Sequence, residues 1–311
     1  YTALILLLTI LCGCKKETVP ANNGGPPVED TTHLKNYNKD LTIVNWNMEW
    51  FGDAFAFRSD INEQAVNAGL ILKYLDADLY GLCEIVDTAR FGNMIRQYLG
   101  DEFRYLISPY PNIDQKLAIV YNRNIFRNVS ARPFMAVSAT AAVSFANGRF
   151  PFLFMADAVV NGVRQQVCFI ALHAKSGTAI EAYEDRLNGA AELKDSLDHY
   201  WNTQNCMILG DYNDHLNNSI LKGKGSPYKN FVDDTARYLQ VTLPLNSPGY
   251  QSTIDYPNSV IDQQVVTGNL KRWYVGNSVQ IRTDVRLIVP DYTTNNTSDH
   301  YPVSSVYRIS H

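Results

Sequence analysis

The chain has little cysteine, no surplus of positive charge and no apolar run long enough to cross a bilayer. Five cysteines stand in 311 residues. Cys83, Cys168 and Cys206 lie inside apolar, strand-like runs, at spacings that suit neither a zinc site nor a disulfide framework. All three are expected to be buried free thiols. Lys and Arg number 27 against 31 Asp and Glu, a formal charge of −4. This balance speaks against a protein that holds nucleic acid by a general basic field, but does not exclude an enzyme that brings divalent cations to phosphate. The run "ALILLLTILCGC" near the amino terminus falls short of the ~20 apolar residues a transmembrane helix needs. No fixed-period repeat is present, which excludes solenoids and propellers.

That apolar run, followed at once by Lys15 and Lys16, instead reads as the core of a signal peptide over residues 1–14 without its charged start. Its "LCGC" ending resembles a bacterial lipoprotein box, which implies cleavage before Cys14, lipidation of that cysteine and a membrane anchor in the cell envelope. Residues 15–39, "KKETVPANNGGPPVEDTTHLKNYNK", are polar and rich in Gly and Pro, and read as a flexible linker. Residues 40–311 read as one large domain. With 46% hydrophobic and 12% aromatic residues in the chain, it can bury a sizeable core.

Within the domain, apolar runs broken by turn residues predict strands over 41–47, 78–85, 116–121, 152–160, 166–173, 206–209, 260–266 and 303–308. Helical spacing predicts helices over 61–75, 89–99 and 180–200. Strands this numerous and this close together suit a two-sheet α/β (α+β) sandwich flanked by helices better than a simple alternating parallel fold.

The strands repeatedly end in a carboxylate, an amide or a histidine. "LTIVNWNME" ends in Asn47 and Glu49, "DLYGLCEIV" carries Glu84, and "VCFIALHAKSG" ends in His173 and Lys175. "CMILGDYND" ends in Asp211 and Asn213, "SVIDQQVV" contains Asp262, and the last strand is entered through Asp299 and His300. A single carboxylate at a strand end is commonly a cap or turn residue, and a lone histidine on an apolar strand is commonly a hydrogen-bonded core residue. Six such ends converging on one rim build an oxygen-rich cleft with two imidazoles, which suits a hard divalent cation better than zinc.

In order and wording, "IVNWNMEWF", "LYGLCEI", "FIALHAKSG", "MILGDYND", "VIDQQVV" and "TSDHYPV" resemble the endonuclease/exonuclease/phosphatase superfamily, over nearly all of residues 41–309. Cys83 stands where glutamine is commoner in that family, and "LHA" replaces a commoner Thr-His-Leu. The resemblance implies a four-layer DNase I-like sandwich and metal-dependent hydrolysis of phosphate esters. It implies Mg2+, with Mn2+ or Ca2+ as alternatives, held by Glu84 with Asn47, Glu49 and Asp299 near it. Asp211 would activate water, Asn213 would donate to the phosphate, and His300, held by Asp262, would bind the phosphoryl group or pass a proton. His173 would protonate the leaving oxygen. Lys175 and Arg186 read either as phosphate-facing cations or as solvated surface charges. The first expectation for substrate is DNA or RNA, cut by an envelope-tethered nuclease. The alternatives are a phosphatase or phosphodiesterase acting on lipid-headgroup, inositol or sugar phosphates, or an inactive binding module on the same scaffold.

Overall fold

The computed structural model describes residues 37–57, 60–110, 114–146 and 148–311. The expected signal segment, Cys14 and most of the expected linker lie outside them. Residues 37–39, expected as linker, are bound to the domain. Tyr37 packs against the core and accepts a hydrogen bond from Asn161 N, and Lys39 Nζ lies 2.8 Å from Asp78. No helix among the described residues is long and apolar enough to cross a membrane.

In chain order the elements are β1 (Leu41–Phe51), α1 (Ile61–Leu75), β2 (Leu79–Ile85), α2 (Thr88–Leu99), β3 (Phe103–Ile107), β4 (Lys116–Asn122), β5 (Phe126–Pro133), α3 (Ala139–Ser144), β6 (Phe152–Val160), β7 (Val163–His173), α4 (Ile180–Tyr200), β8 (Cys206–Asp211), α5 (Lys229–Asp233), β9 (Tyr238–Gln240), β10 (Asp262–Thr267), α6 (Leu270–Trp273), β11 (Gln280–Ile281) and β12 (Val303–Tyr307). The strands form two six-stranded sheets, ordered β11-β12-β1-β2-β4-β3 and β5-β6-β7-β8-β10-β9.

Alternation along β1 shows how the layers are made. Leu41 and Ile43 point into the core between the sheets, whereas Val44, Trp46 and Met48 point the other way, under α1 and α2. On the second sheet Phe169 and Ala171 enter the inter-sheet core while Cys168, Ile170 and Leu172 meet Ala190, Leu193 and Leu197 of α4. Three apolar layers thus hold four layers of structure, the sandwich the resemblance implies. The two helices over the first sheet start at aspartate caps, Asp60 for α1 and Asp87 for α2. Asp60 caps α1 by accepting from Asn62 N, and Asp76 ends it in a left-handed conformation at φ 44°.

The two parallel pairs, β1 with β2 and β7 with β8, set the position of the polar strand ends. Both pairs point the same kind of end at one rim. The antiparallel strands β10 and β12 begin at that rim, so Asp262 and the Asp299–His300 turn arrive there from the opposite direction. Register then lines up His173, Asp211 and Asp262 as a row across β7, β8 and β10.

One expectation is overturned. Cys168 and Cys206 are joined by a disulfide, with Cα atoms 4.6 Å apart. They face each other in the parallel register of β7 and β8, a proximity that a 38-residue separation conceals. Cys83 is the free, buried thiol.

Candidate active site

The rim places a carboxylate at its centre and surrounds it with nitrogen. Asp211 is fully buried at the end of β8; its Oδ2 accepts a hydrogen bond from Asn47 Nδ2 at 3.0 Å and lies 3.5 Å from His173 Nε2 and 3.9 Å from His300 Nε2. Its Oδ1 accepts from Asn213 N at 2.8 Å. The residue before it must be glycine. Gly210 has φ 138°, and a Cβ there would lie 2.0 Å from the Leu172 carbonyl oxygen.

Asn47 spans the two sheets. The same amide nitrogen that reaches Asp211 also donates to Glu84 Oε1 at 3.0 Å, and His173 Nε2 lies 3.7 Å from that oxygen. Glu84 Oε2 accepts from Trp50 N at 2.9 Å. Glu84 and Glu49 both sit where strand pairing slips. The β1–β2 register shifts between Asn47 and Phe51, the β2–β4 register shifts between Leu82 and Ile85, and such bulges re-aim side chains. Glu49, Trp50, Glu84 and Asn213 all have positive φ, between 44° and 64°. This is a concentration of backbone strain in non-glycine residues of the kind that gathers at functional sites.

His300 is held on several sides. Its Nδ1 meets Asp262 Oδ2 at 2.7 Å, its backbone N donates to Ser298 Oγ at 3.0 Å, and its carbonyl accepts from Trp46 Nε1 at 2.9 Å. Ser298 Oγ in turn donates to the Asn47 carbonyl at 2.7 Å, so the turn before β12 is fastened to β1. Asp299 lies 3.7 Å from His300 Nε2 on the more exposed side.

These surroundings separate the two imidazoles electrically. Burial works against charge on His300, yet the carboxylates of Asp262, Asp299 and Asp211 outweigh it and hold the ring well above the usual imidazole range. Burial, helped by repulsion from Arg149 and His300, pushes His173 well below that range. Burial also lifts Asp211, with Asp262 adding to the effect and His300 opposing it. Glu49 is pushed up to about 7 by burial and by the nearby charges of Asp299 and Glu84.

The residues fit a divalent cation of magnesium type. Glu49 Oε2 is buried without a hydrogen-bond partner, and the charges of Asp299 and Glu84 add to burial in opposing ionisation of Glu49. No group of three or more His, Cys, Asp or Glu among the described residues is placed to hold a metal ion. Magnesium does not require one, because it keeps several waters and commonly takes only one or two protein carboxylates beside substrate phosphate.

Arg186 does not join the site. It is buried, with Nε donating to Asp214 Oδ2 at 3.0 Å and Nη1 donating to the carbonyls of Lys175 and Gly177 at 2.8 and 3.0 Å. It fastens the loop after β7 instead of facing phosphate. Lys175 is half-buried two residues beyond His173. Asn213 uses its side-chain amide on the Ala174 carbonyl at 3.1 Å, closing the gap between the ends of β7 and β8. Arg149 was not visible in the sequence pattern. It lies in the loop before β6, buried to 4% exposure, donates to Gln115 Oε1 at 2.7 Å, leaves Nε unpartnered, and its charge acts on Glu84, Asp211 and His173. A lone arginine in "ANGRFPF" carries no strand or motif signal.

No protein-family model and no curated protein matches the sequence. Solved structures do match. An endonuclease/exonuclease/phosphatase from Bacteroides vulgatus superposes with a TM-score of 0.60 at 12% identity, over 88% of this chain and 100% of that one. TDP2 from D. rerio, crystallised with a single-strand DNA product, gives 0.60 at 10% identity over 88% of this chain and 100% of that one. The human Nocturnin catalytic domain with bound sulfate gives 0.53 at 13% identity, over 89% of this chain and 97% of that one. The chain therefore has the fold of the endonuclease/exonuclease/phosphatase superfamily.

Proposed function

We propose that the protein is a divalent-metal-dependent phosphoester hydrolase, and specifically a phosphodiesterase that cuts DNA or RNA. The observation that carries this reading is the row His173–Asp211–Asp262 with His300 bonded to Asp262. It sets a buried carboxylate beside an imidazole whose acidic neighbours favour its charged form, at the edge of a second group of carboxylates.

In this reading Asp211 takes a proton from water as the water oxygen attacks phosphorus, and the bond from phosphorus to the leaving oxygen breaks on the opposite side. A carboxylate whose proton affinity has been raised is a better base for that task. His300 donates its Nε2 proton as a hydrogen bond to a phosphoryl oxygen, and Arg149 adds positive charge from the β6 side. Asn47 and neutral His173 hold Asp211 in place. In this reading one role differs from the expectation drawn from the sequence. An acid for the leaving oxygen must stand across phosphorus from the base, whereas His173 and His300 both lie within 3.9 Å of Asp211. A cation held by Glu84 and Glu49 would supply charge neutralisation to the phosphoryl and leaving oxygens, and the leaving oxygen then takes its proton from solvent.

The DNA-bound TDP2 neighbour supports nucleic acid as the substrate class. The disulfide between Cys168 and Cys206 supports an oxidising location outside the cytoplasm, which agrees with an envelope-anchored protein. The test is hydrolysis of single-stranded DNA, RNA, inositol phosphates and lipid phosphodiesters, with magnesium, manganese or EDTA. Metal-dependent cleavage of nucleic acid is expected. Phosphate release from small esters alone would move the protein to the phosphatase reading, and no hydrolysis under any condition would leave only a binding module.

A further inference from the structure

Strand β1 breaks its own pattern at one residue. Val44, Trp46 and Met48 alternate onto the layer under α1 and α2, so period-two geometry puts residue 50 next on that buried face. Phe51 takes the place instead, with no exposure, and Trp50 is turned outward with 36% of its surface exposed. Two successive left-handed residues make the reversal, Glu49 at φ 44° and Trp50 at φ 45°. That conformation is unfavourable for any side chain with a Cβ and especially for a bulky one.

The reversal is not loose. Gln64 Nε2 donates to the carbonyls of Met48 and Glu49 at 3.0 and 2.8 Å, Gly52 N donates to Gln64 Oε1 at 2.9 Å, and Trp50 N donates to Glu84 Oε2 at 2.9 Å. The chain thus holds a large aromatic ring out of the core, one peptide unit from a site carboxylate. The other tryptophans are used differently. Trp46 and Trp273 are buried, and Trp201 packs edge-on against Phe134 with Arg132 over its face. Among the described residues no aromatic ring or cation is stacked on Trp50.

We infer that the Trp50 indole is a stacking platform for a planar base attached to the phosphate in the site. This rests on the phosphodiesterase reading and sharpens it. A base-bearing substrate would gain affinity at Trp50, and a phosphoester without a flat ring would not. Stacking of a base on an aromatic side chain is tolerant of sequence, so the platform selects nucleic acid as a class without selecting a base.

The experiment compares an oligothymidylate with an oligomer of the same phosphodiester backbone whose residues are abasic. Turnover with magnesium is measured for the wild type, Trp50→Ala and Trp50→Phe. Tryptophan emission of the wild type and of Trp50→Phe is then titrated with each oligomer in EDTA. Trp50→Ala is expected to lower the ratio of kcat/KM on the base-bearing to the abasic oligomer about tenfold, mainly through KM, and Trp50→Phe to recover most of it. The base-bearing oligomer is expected to quench wild-type emission more than the abasic one, and the difference to vanish in Trp50→Phe. An unchanged ratio in a hydrolysing enzyme, or equal quenching by both oligomers, overturns the platform and leaves the phosphodiesterase reading standing. Base-dependent quenching of a wild type that hydrolyses nothing would keep the platform and remove the hydrolase reading.

Discussion

Asp211 and Asp214 are three residues apart, both are buried, and their surroundings are opposites. Both carboxylate oxygens of Asp214 are answered, and in its pair with Arg186 only Nη2 lacks a hydrogen bond. Its Oδ2 accepts from Arg186 Nε and Ser219 Oγ, its Oδ1 accepts from His215 N and Ile220 N, and Arg186 Nη2 lies 2.9 Å away. Around Asp211 the accounts do not close. Asp262 Oδ1, His173 Nδ1, Glu49 Oε2 and Arg149 Nε are buried without partners, and carboxylates outnumber the cations beside them. Buried polar groups are normally satisfied, so a cluster of exceptions needs a reason. The difference teaches that burial of charge by itself does not mark a site. A buried charge with every valence met is structure, and one left under-satisfied beside strained backbone is poised for a ligand.

Breaking the under-satisfied side should cost activity before stability. Asp262→Asn removes the charge that holds His300 protonated and oriented, and kcat/KM should fall on the order of 10²–10⁴-fold while the thermal melt stays cooperative. Steady-state kinetics and calorimetry on one preparation check this. Breaking the satisfied side should do the reverse. Arg186→Met leaves Asp214 buried without its cation, and denaturant unfolding should show a loss of about 3–5 kcal/mol. Activity per folded molecule is then the discriminating reading, since an arginine that bound phosphate would also raise KM.

The smallest effect belongs to a charge cluster that is satisfied and open to solvent on one side, where Arg237 is half-exposed. Burial is the largest single influence on Asp234 and opposes its ionisation, but the hydrogen bonds from Lys194 and Arg237 together outweigh it and hold the carboxyl at about 2. A depressed carboxylate contributes stability above its ordinary value and loses it as pH falls through the folded value. Melts taken from pH 4 down to pH 2 should therefore lose this contribution, and Asp234→Asn should flatten that part of the acid limb by a small amount, because the pair is near solvent.

Much of the rim was legible in the sequence, because each contributing strand is an apolar run that stops at a polar residue. The runs ending at Asn47, Glu84, His173 and Asp211 need only the period-two pattern to be seen, and the helices at Ile61–Leu75 and Ile180–Tyr200 only the 3.6 pattern. Edge strands β3 and β5 were not legible. Apart from buried Phe126 their residues are half-buried or exposed, with Arg127, Arg132 and Pro133 interrupting any apolar run, as suits strands with one free edge. The Cys168–Cys206 bridge depends on register between strands, and the protonation of His173 and His300 depends on burial and neighbours. None of these is a local property of the chain. The outward turn of Trp50 was hidden for the same reason, since its partners Gln64 and Glu84 are remote in sequence.

The most direct test is Asp211→Asn, assayed for metal-dependent cleavage of single-stranded DNA and melted in the same buffer. The account predicts that turnover is lost while the melting temperature is unchanged or raised, because a carboxylate whose ionisation is opposed by its burial has been replaced by a neutral amide. Full turnover in the variant, or a loss of turnover that only follows a collapsed fold, would contradict it.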